Sequence, residues 1–199
     1  MKSIKELKSM VKQSPFNKGY YSVNVQLKSL LTGVMFYIQD GYDEVKGESF
    51  PVDETKWKTE DLFHYGIPGF QRDNNKWSTS MQVKFVENCL LGHITEILLY
   101  NTKEINDAVG LSRMWVLDGQ QRLTALLMFL DGELKVFGGY TVTTLREGFE
   151  PILRGNSIKV KAYTFADERE AIDFYIAMNE GITHSPEDIT KAREYRSGL

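Results

Sequence analysis
The sequence predicts an α+β fold: a small mixed sheet with packed helices, in a single compact domain with an N-terminal extension. Three observations carry that expectation. Tyr21, Val23, Val25 and Leu27 alternate with Ser22, Asn24, Gln26 and Lys28, the period of a half-buried strand. Leu123, Leu126, Leu127 and Leu130 recur at i, i+3, i+4 and i+7, the stripe of a buried helix. Strand-like and helix-like segments do not follow one another in the regular alternation of a doubly wound sheet.

Taken in order, Ile4, Leu7 and Val11 lie at helical spacing among Lys2, Lys5, Lys8 and Lys12. That pattern reads either as an amphipathic helix with a solvated lysine face or as a phosphate-facing arm. The strand at Tyr21–Leu27 follows, then a second candidate strand at Val34–Ile38 that stops at the turn signal Asp40-Gly41. Residues 43–60 are acidic and polar, a loop or insertion, and residues 58–63 fit a short helix. The extension therefore covers residues 1–60 and the core 61–199.

Ser78 or Ser80 can cap a helix running to Leu91, with Gly92 as its stop and Val86, Cys89 and Leu90 facing inward. Ile94–Leu99 fits a strand or a short helix equally. Met114–Leu117 reads as a buried strand and Leu123–Leu130 as a helix ending near Asp131-Gly132. Glu133–Phe137 and Ser157–Tyr163 read as strands. A helix from about Asp167 through Ile172, Tyr175, Ile176 and Asn179 should end at Gly181. Ser185-Pro-Glu-Asp188 combines an N-cap, a proline at N1 and an acid at N3, which starts a last helix.

A chain of 199 residues is long enough to bury a sizeable core. Its net charge of −3 provides no global basic field for nucleic acid or membrane, which leaves only local patches. Cys89 is the single cysteine, so an intrachain disulfide and a multi-cysteine zinc site are excluded. No stretch approaches the roughly 18 apolar residues of a membrane span. The N-terminus also lacks the apolar core of a signal peptide. A cytoplasmic protein without a membrane partner is expected.

The chemistry concentrates in Asp118-Gly-Gln-Gln-Arg122, between the strand at Met114–Leu117 and the helix from Leu123. A helix start exposes unpaired N–H groups and the positive end of the macrodipole. Gly119 permits a tight turn and close approach of a ligand, and Arg122 adds a forked cation suited to phosphate or carboxylate. Two readings stay open. Asp118 as N-cap with Gln121 at N3 makes a capping box, which contributes about 1 kcal/mol. Alternatively the junction is an anion site, because a cap has no need of Gln120 and Arg122. Asp118 would then hold a metal, read ribose hydroxyls or orient Arg122.

Two other polar islands could converge on the junction. Gly66-Ile-Pro-Gly-Phe-Gln-Arg72 places Gln71 and Arg72 after a rigid turn, with Phe70 and Trp77 as core anchors. Asn179-Glu-Gly181 closes a helix just before the next one starts. His64, His93 and His184 are too scattered for a metal cluster, and neither a phosphate-binding glycine loop nor a serine-hydrolase elbow is present.

The run Leu117-Asp-Gly-Gln-Gln-Arg-Leu-Thr124 resembles the signature of the N-terminal domain of GmrSD-type, modification-dependent restriction systems. Ile67-Pro-Gly-Phe-Gln-Arg72 with Trp77 is similar to that family's first motif, and Leu90-Leu-Gly-His-Ile94 to its continuation. Residues 174–189 are similar to its last. This chain departs from the pattern at Ile182, at His184 and at Asn74, Asn75 and Lys76. The resemblance implies a ParB- or sulfiredoxin-like α+β domain that binds a nucleoside triphosphate with Mg²⁺ and, in some members, hydrolyses it to control a nuclease.

Carried over by position, Gln71, Arg72, Asp118, Gly119, Gln120, Gln121, Arg122 and Asn179 would line the nucleotide pocket. Asp118, Arg122 and Arg72 would be the catalytic set, with Asp118 at the metal. The resemblance also implies a protein partner such as a nuclease or restriction subunit, and DNA as a further partner. Nuclease activity is not expected from this chain itself. The other function the residues allow is a non-enzymatic DNA- or partner-binding protein such as an anti-restriction factor, since an acidic protein can occupy a basic DNA-binding surface.

Overall fold
The computed structural model describes residues 3–26, 67–103, 114–145, 156–180 and 185–199. Among them α1 is Ile4–Gln13, β1 Tyr20–Gln26, α2 Thr79–Leu90, β2 Glu96–Thr102 and β3 Trp115–Asp118. Then come α3 Gln120–Leu130, β4 Ser157–Phe165, α4 Glu168–Asn179 and α5 Pro186–Gly198. Caps fix most helix starts where the sequence places them. Ser78 Oγ accepts the Met81 N–H at α2, Asp167 accepts the Glu170 N–H at α4, and Ser185 accepts the Asp188 N–H at α5 behind Pro186. Ser3 and Glu6 form a reciprocal capping box at α1.

The four strands make one mixed sheet in the order β1-β4-β2-β3. β4 runs antiparallel to β1, with Tyr20 opposite Tyr163 and Gln26 opposite Ser157. It runs parallel to β2, with Glu96 opposite Lys159, and β3 returns antiparallel along β2. The strand from the N-terminal stretch is thus part of the same sheet as the later strands. The expected boundary between residues 60 and 61 lies outside the described residues.

Side-chain alternation sorts two cores onto the two faces. Ile97 and Leu99 of β2, Val116 of β3 and Ile158 and Val160 of β4 pack with α2 and α3 around Val86, Leu123, Leu126 and Phe129. Leu98 and Tyr100, Leu117, and Tyr163 and Phe165 face the other way, against Ile172, Phe174 and Tyr175 of α4 and Ala192 of α5. A strand buried on both faces reads as an unbroken apolar run. That is why Ile94–Leu99 left strand and helix equally open: β2 is a strand, buried from Ile97 through Thr102.

The strand expected at Glu133–Phe137 does not form. Leu134 and Val136 are buried, but the chain makes only an isolated bridge between Val136 and Tyr140, with Phe137 at φ 49. The pair Gly138-Gly139 folds it back before a ladder can extend. The helix α1 buries no residue, and Ile4 and Val11 stand exposed beside its lysines. The strand expected at Val34–Ile38, the acidic loop at 43–60, the short helix at 58–63 and the Gly181 stop lie outside the described residues.

Candidate functional site
The junction between β3 and α3 is built by Gly119. Its φ of 102° lies in the left-handed region, and a Cβ there would stand 3.2 Å from Ile97 Cγ1. Only glycine meets both conditions without strain. Because Gly119 itself is the N-cap, the capping box expected from Asp118 and Gln121 does not exist. No side chain caps α3, and its first amide N–H groups keep their hydrogen-bonding capacity.

Asp118 and Gln121 are employed elsewhere. The Asp118 carboxylate pairs with Arg122 across one helical turn, Nη2 to Oδ2 at 2.5 Å. Arg122 Nη1 donates to the Glu96 carbonyl at 2.5 Å and reaches Thr95 Oγ1 at 3.5 Å. Arg122 therefore braces the end of β3 and the start of β2 against α3, as a fork with several fixed donors can. Gln121 is buried and accepts the Trp77 N–H at 3.1 Å while donating to Asn74 Oδ1 at 2.8 Å. Asn74 in turn donates to Thr124 Oγ1 at 2.7 Å, whose hydroxyl donates to the Gln120 carbonyl. Gln71, also buried, donates to the carbonyls of Val116 and Leu117 at 2.9 and 2.7 Å. The loop 67–77 is stitched to both sides of the junction.

Two residues of the set are left uncommitted. Gln120 is 7% exposed and its Oε1 has no hydrogen-bond partner among the described residues. As the first residue of α3, its side chain leans toward the helix N-terminus. An unpaired buried amide oxygen costs about 1–3 kcal/mol, a cost that a bound water or ligand can relieve. Arg72 is half-buried, and its guanidinium makes no ion pair or hydrogen bond among the described residues.

Tyr175 of α4 reaches the same place. Burial raises its hydroxyl to about 12, the Arg72 charge and backbone N–H act against that rise, and Asp188 and Asp118 add to it. Arg72, Asp118 and Asp188 thus all lie within electrostatic reach of one phenol. Asn179, 3% exposed, lies one turn further along α4 and donates to the Tyr175 carbonyl at 2.8 Å. Lys76 pairs with Asp188 at 3.2 Å and Lys191 with Asp73 at 3.1 Å, tying the loop to α5. The loop 67–77 thus meets both the junction and α5, while the hydrogen bond of Asn179 stays within its own helix.

The junction and the loop packed on it hold an uncapped helix start, a guanidinium without a partner among the described residues, a buried acceptor and a braced carboxylate. The set suits an anion that also carries hydrogen-bond donors. Among the described residues, no group of three or more His, Cys, Asp or Glu is placed to hold a metal ion. Asp118 Oδ1 is the oxygen that Arg122 leaves available. Cys89 is buried in the α2–α3 core, and burial raises its thiol to about 11, partly offset by Arg122. It is a core residue, as the sequence suggests. His93 is an exposed loop residue, and His64 and His184 lie outside the described residues.

Sequence reasoning passed over Asn74, Thr124 and Glu96, and read Tyr175 by its burial alone. Asn74 stood out only as a departure from a motif, yet it links the loop to α3. Glu96 contributes a backbone carbonyl, which no residue type could betray. Tyr175 read as an ordinary apolar-face residue of its helix.

Comparison with family models matches residues 55–157 to the GmrSD restriction endonuclease, N-terminal domain. The match holds the loop, α2, β2, β3 and α3, and stops at the first residue of β4. No curated protein and no solved structure matches the chain. The matched segment is just over half of the 199 residues and has the Asp118–Arg122 junction inside it. The chain belongs to the family of GmrSD restriction endonuclease N-terminal domains, and so to the modules of restriction systems.

Proposed function
We propose that the chain binds a nucleoside triphosphate at the start of α3 and serves as a regulatory module for a nuclease or restriction subunit acting on DNA. The observation that carries this reading is Gln120, buried at an uncapped helix start with no partner for its amide oxygen among the described residues, with Arg72 next in chain to the Gln71 that is bonded to β3. Helix N–H groups and a guanidinium fork favour phosphate oxygens. Gln120 Oε1 accepts hydrogen bonds, and a phosphate ionised at neutral pH has few to give. The hydroxyls of a ribose or the amine of a base supply them. A nucleotide therefore completes the site better than a bare anion.

Arg72 is the cation at hand for the phosphates, while Asp118 and Arg122 hold the frame. Mg²⁺ is commonly held by one or two carboxylates together with phosphate oxygens. Asp118 Oδ1 fits that pattern as a single protein oxygen, and the metal would neutralise phosphate charge there. Slow hydrolysis would draw on Arg72 to stabilise charge developing on the phosphates. Family membership supports a restriction partner, because the domain is named as the N-terminal part of a restriction endonuclease.

Calorimetric titration with ATP, GTP and CTP, each with Mg²⁺, tests the proposal. At least one should bind with a dissociation constant below about 1 mM. Arg72→Ala should weaken that binding by about 10- to 100-fold, the loss of a charge-assisted hydrogen bond. A folded wild-type protein that binds none of the three contradicts it.

A further inference from the structure
We infer that Asp188 and Lys191 of α5 are positioning residues of the proposed site: through Lys76 and Asp73 they hold the loop 67–77, and with it Arg72, against the start of α3. The inference rests on the nucleotide-binding reading above and carries the site's support into α5, beyond the segment that the family model matches.

The loop is suspended between two supports. On one side Gln71 donates to the Val116 and Leu117 carbonyls, Asn74 donates to Thr124, and the Trp77 N–H donates to Gln121. On the other, Lys76 pairs with Asp188 at 3.2 Å and Asp73 with Lys191 at 3.1 Å. The attachments alternate along the chain: Gln71, Asn74 and Trp77 turn to the junction, Asp73 and Lys76 to α5. Arg72 stands between the first attachment of each kind, so both of its chain neighbours are held. A misplacement of about 1 Å in such a group can cost two orders of magnitude in a positioned interaction.

The packing of α5 suits this role. A Cβ at Gly69 would stand 2.7 Å from Tyr195 Cε2, so glycine lets the loop backbone rest on the Tyr195 ring. The next residue, Phe70, is fully buried, with its ring 6.1 Å from that of Tyr195. The two ion pairs are not equal. The Asp188 side chain is only 11% exposed, so its pair with Lys76 is screened less than one on open surface. Asp73 and Lys191 are 74% and 47% exposed, and an open pair contributes little. Most of the hold therefore comes from Asp188. That residue is itself fixed, because its backbone N–H donates to the Ser185 cap and the adjacent Ile189 is buried.

The test is a binding cycle with Lys76→Met, Asp188→Asn and the double variant, using whichever of ATP, GTP and CTP binds wild type, with Mg²⁺. Asparagine at 188 keeps the backbone N–H on Ser185, so α5 retains its cap. Each single substitution should weaken binding by about 3- to 10-fold, and the double by no more than either single, since coupled residues are not additive. Lys76→Arg keeps the charge and should bind within about twofold of wild type. Amide exchange reads the same hold without nucleotide. The Trp77 N–H, bonded to Gln121, should exchange about 10-fold faster in each single variant, with the interior of α3 unchanged. Unchanged affinity in the single variants, additive losses, an equal loss in Lys76→Arg, or unchanged exchange at Trp77 each overturns the inference while leaving nucleotide binding standing. A wild type that binds no nucleotide overturns both.

Discussion
Gln120 and Arg122 sit two residues apart in the first turn of α3 and are in opposite situations. Arg122 is spent on Asp118, Glu96 and Thr95, whereas Gln120 has a buried oxygen with no partner among the described residues. Their substitutions should therefore part in sign. Arg122→Ala should lower stability by about 2 kcal/mol, because it removes hydrogen bonds to a charged group and strands Asp118. Gln120→Leu removes an unsatisfied group and should leave stability unchanged or raise it by about 1 kcal/mol, while nucleotide binding falls. Urea unfolding of both variants checks the pair. A loss of stability in Gln120→Leu matching that of Arg122→Ala would mean Gln120 is an ordinary core residue.

At the scale of elements, the β3–α3 junction depends on Gly119. Gly119→Ala should cost roughly 1–2 kcal/mol for the left-handed backbone, with a further loss because Ile97 must give way. Its thermal midpoint should fall accordingly, and a midpoint equal to wild type would contradict the assigned turn. This junction also shows what was legible in the sequence. The positions of α2, α3, α4 and α5 followed from apolar spacing and from Ser78, Asp167 and Ser185, since those signals are local. The polar run 118–122 was recognisable as a strand–helix junction for the same reason. The cap within it was misread, because Asp118 and Gln121 fit a capping box by spacing and only the fold reveals their partners in Arg122, Asn74 and Trp77. The turn at 133–140 failed as a strand because the alternation of Leu134 and Val136 marks burial and not pairing.

For the whole molecule, the sheet needs parts on both sides of the matched family segment. β4 is interior, between β1 and β2, and α4 and α5 cover one face. A fragment of residues 55–157 lacks all three and should show no cooperative thermal transition. A sharp transition from that fragment would mean the layers fold independently. Stability of the full chain should also fall at both extremes of pH. Burial raises the Asp188 and Glu170 carboxyls, but Lys76 with Ser185, and the Ala166 N–H with Lys18, overcome it and hold both low. Their contribution is present above the ordinary carboxylate range near pH 4 and is lost as pH falls through the lowered folded values. Burial raises Tyr175 to about 12, so its contribution is present below about pH 10 and is lost as pH rises toward 12. The urea midpoint against pH should be flat in between, and Tyr175→Phe should soften only the alkaline limb.

The uncapped start of α3, with Gln120 and Arg72, is the proposed nucleotide site. The most direct measurement is a crystal structure of the protein soaked with ATP, GTP or CTP and Mg²⁺. The phosphates should lie against the first amides of α3 and the Arg72 guanidinium, with a sugar or base donor on Gln120 Oε1. A nucleotide seated elsewhere, with Gln120 still unpaired, would contradict it.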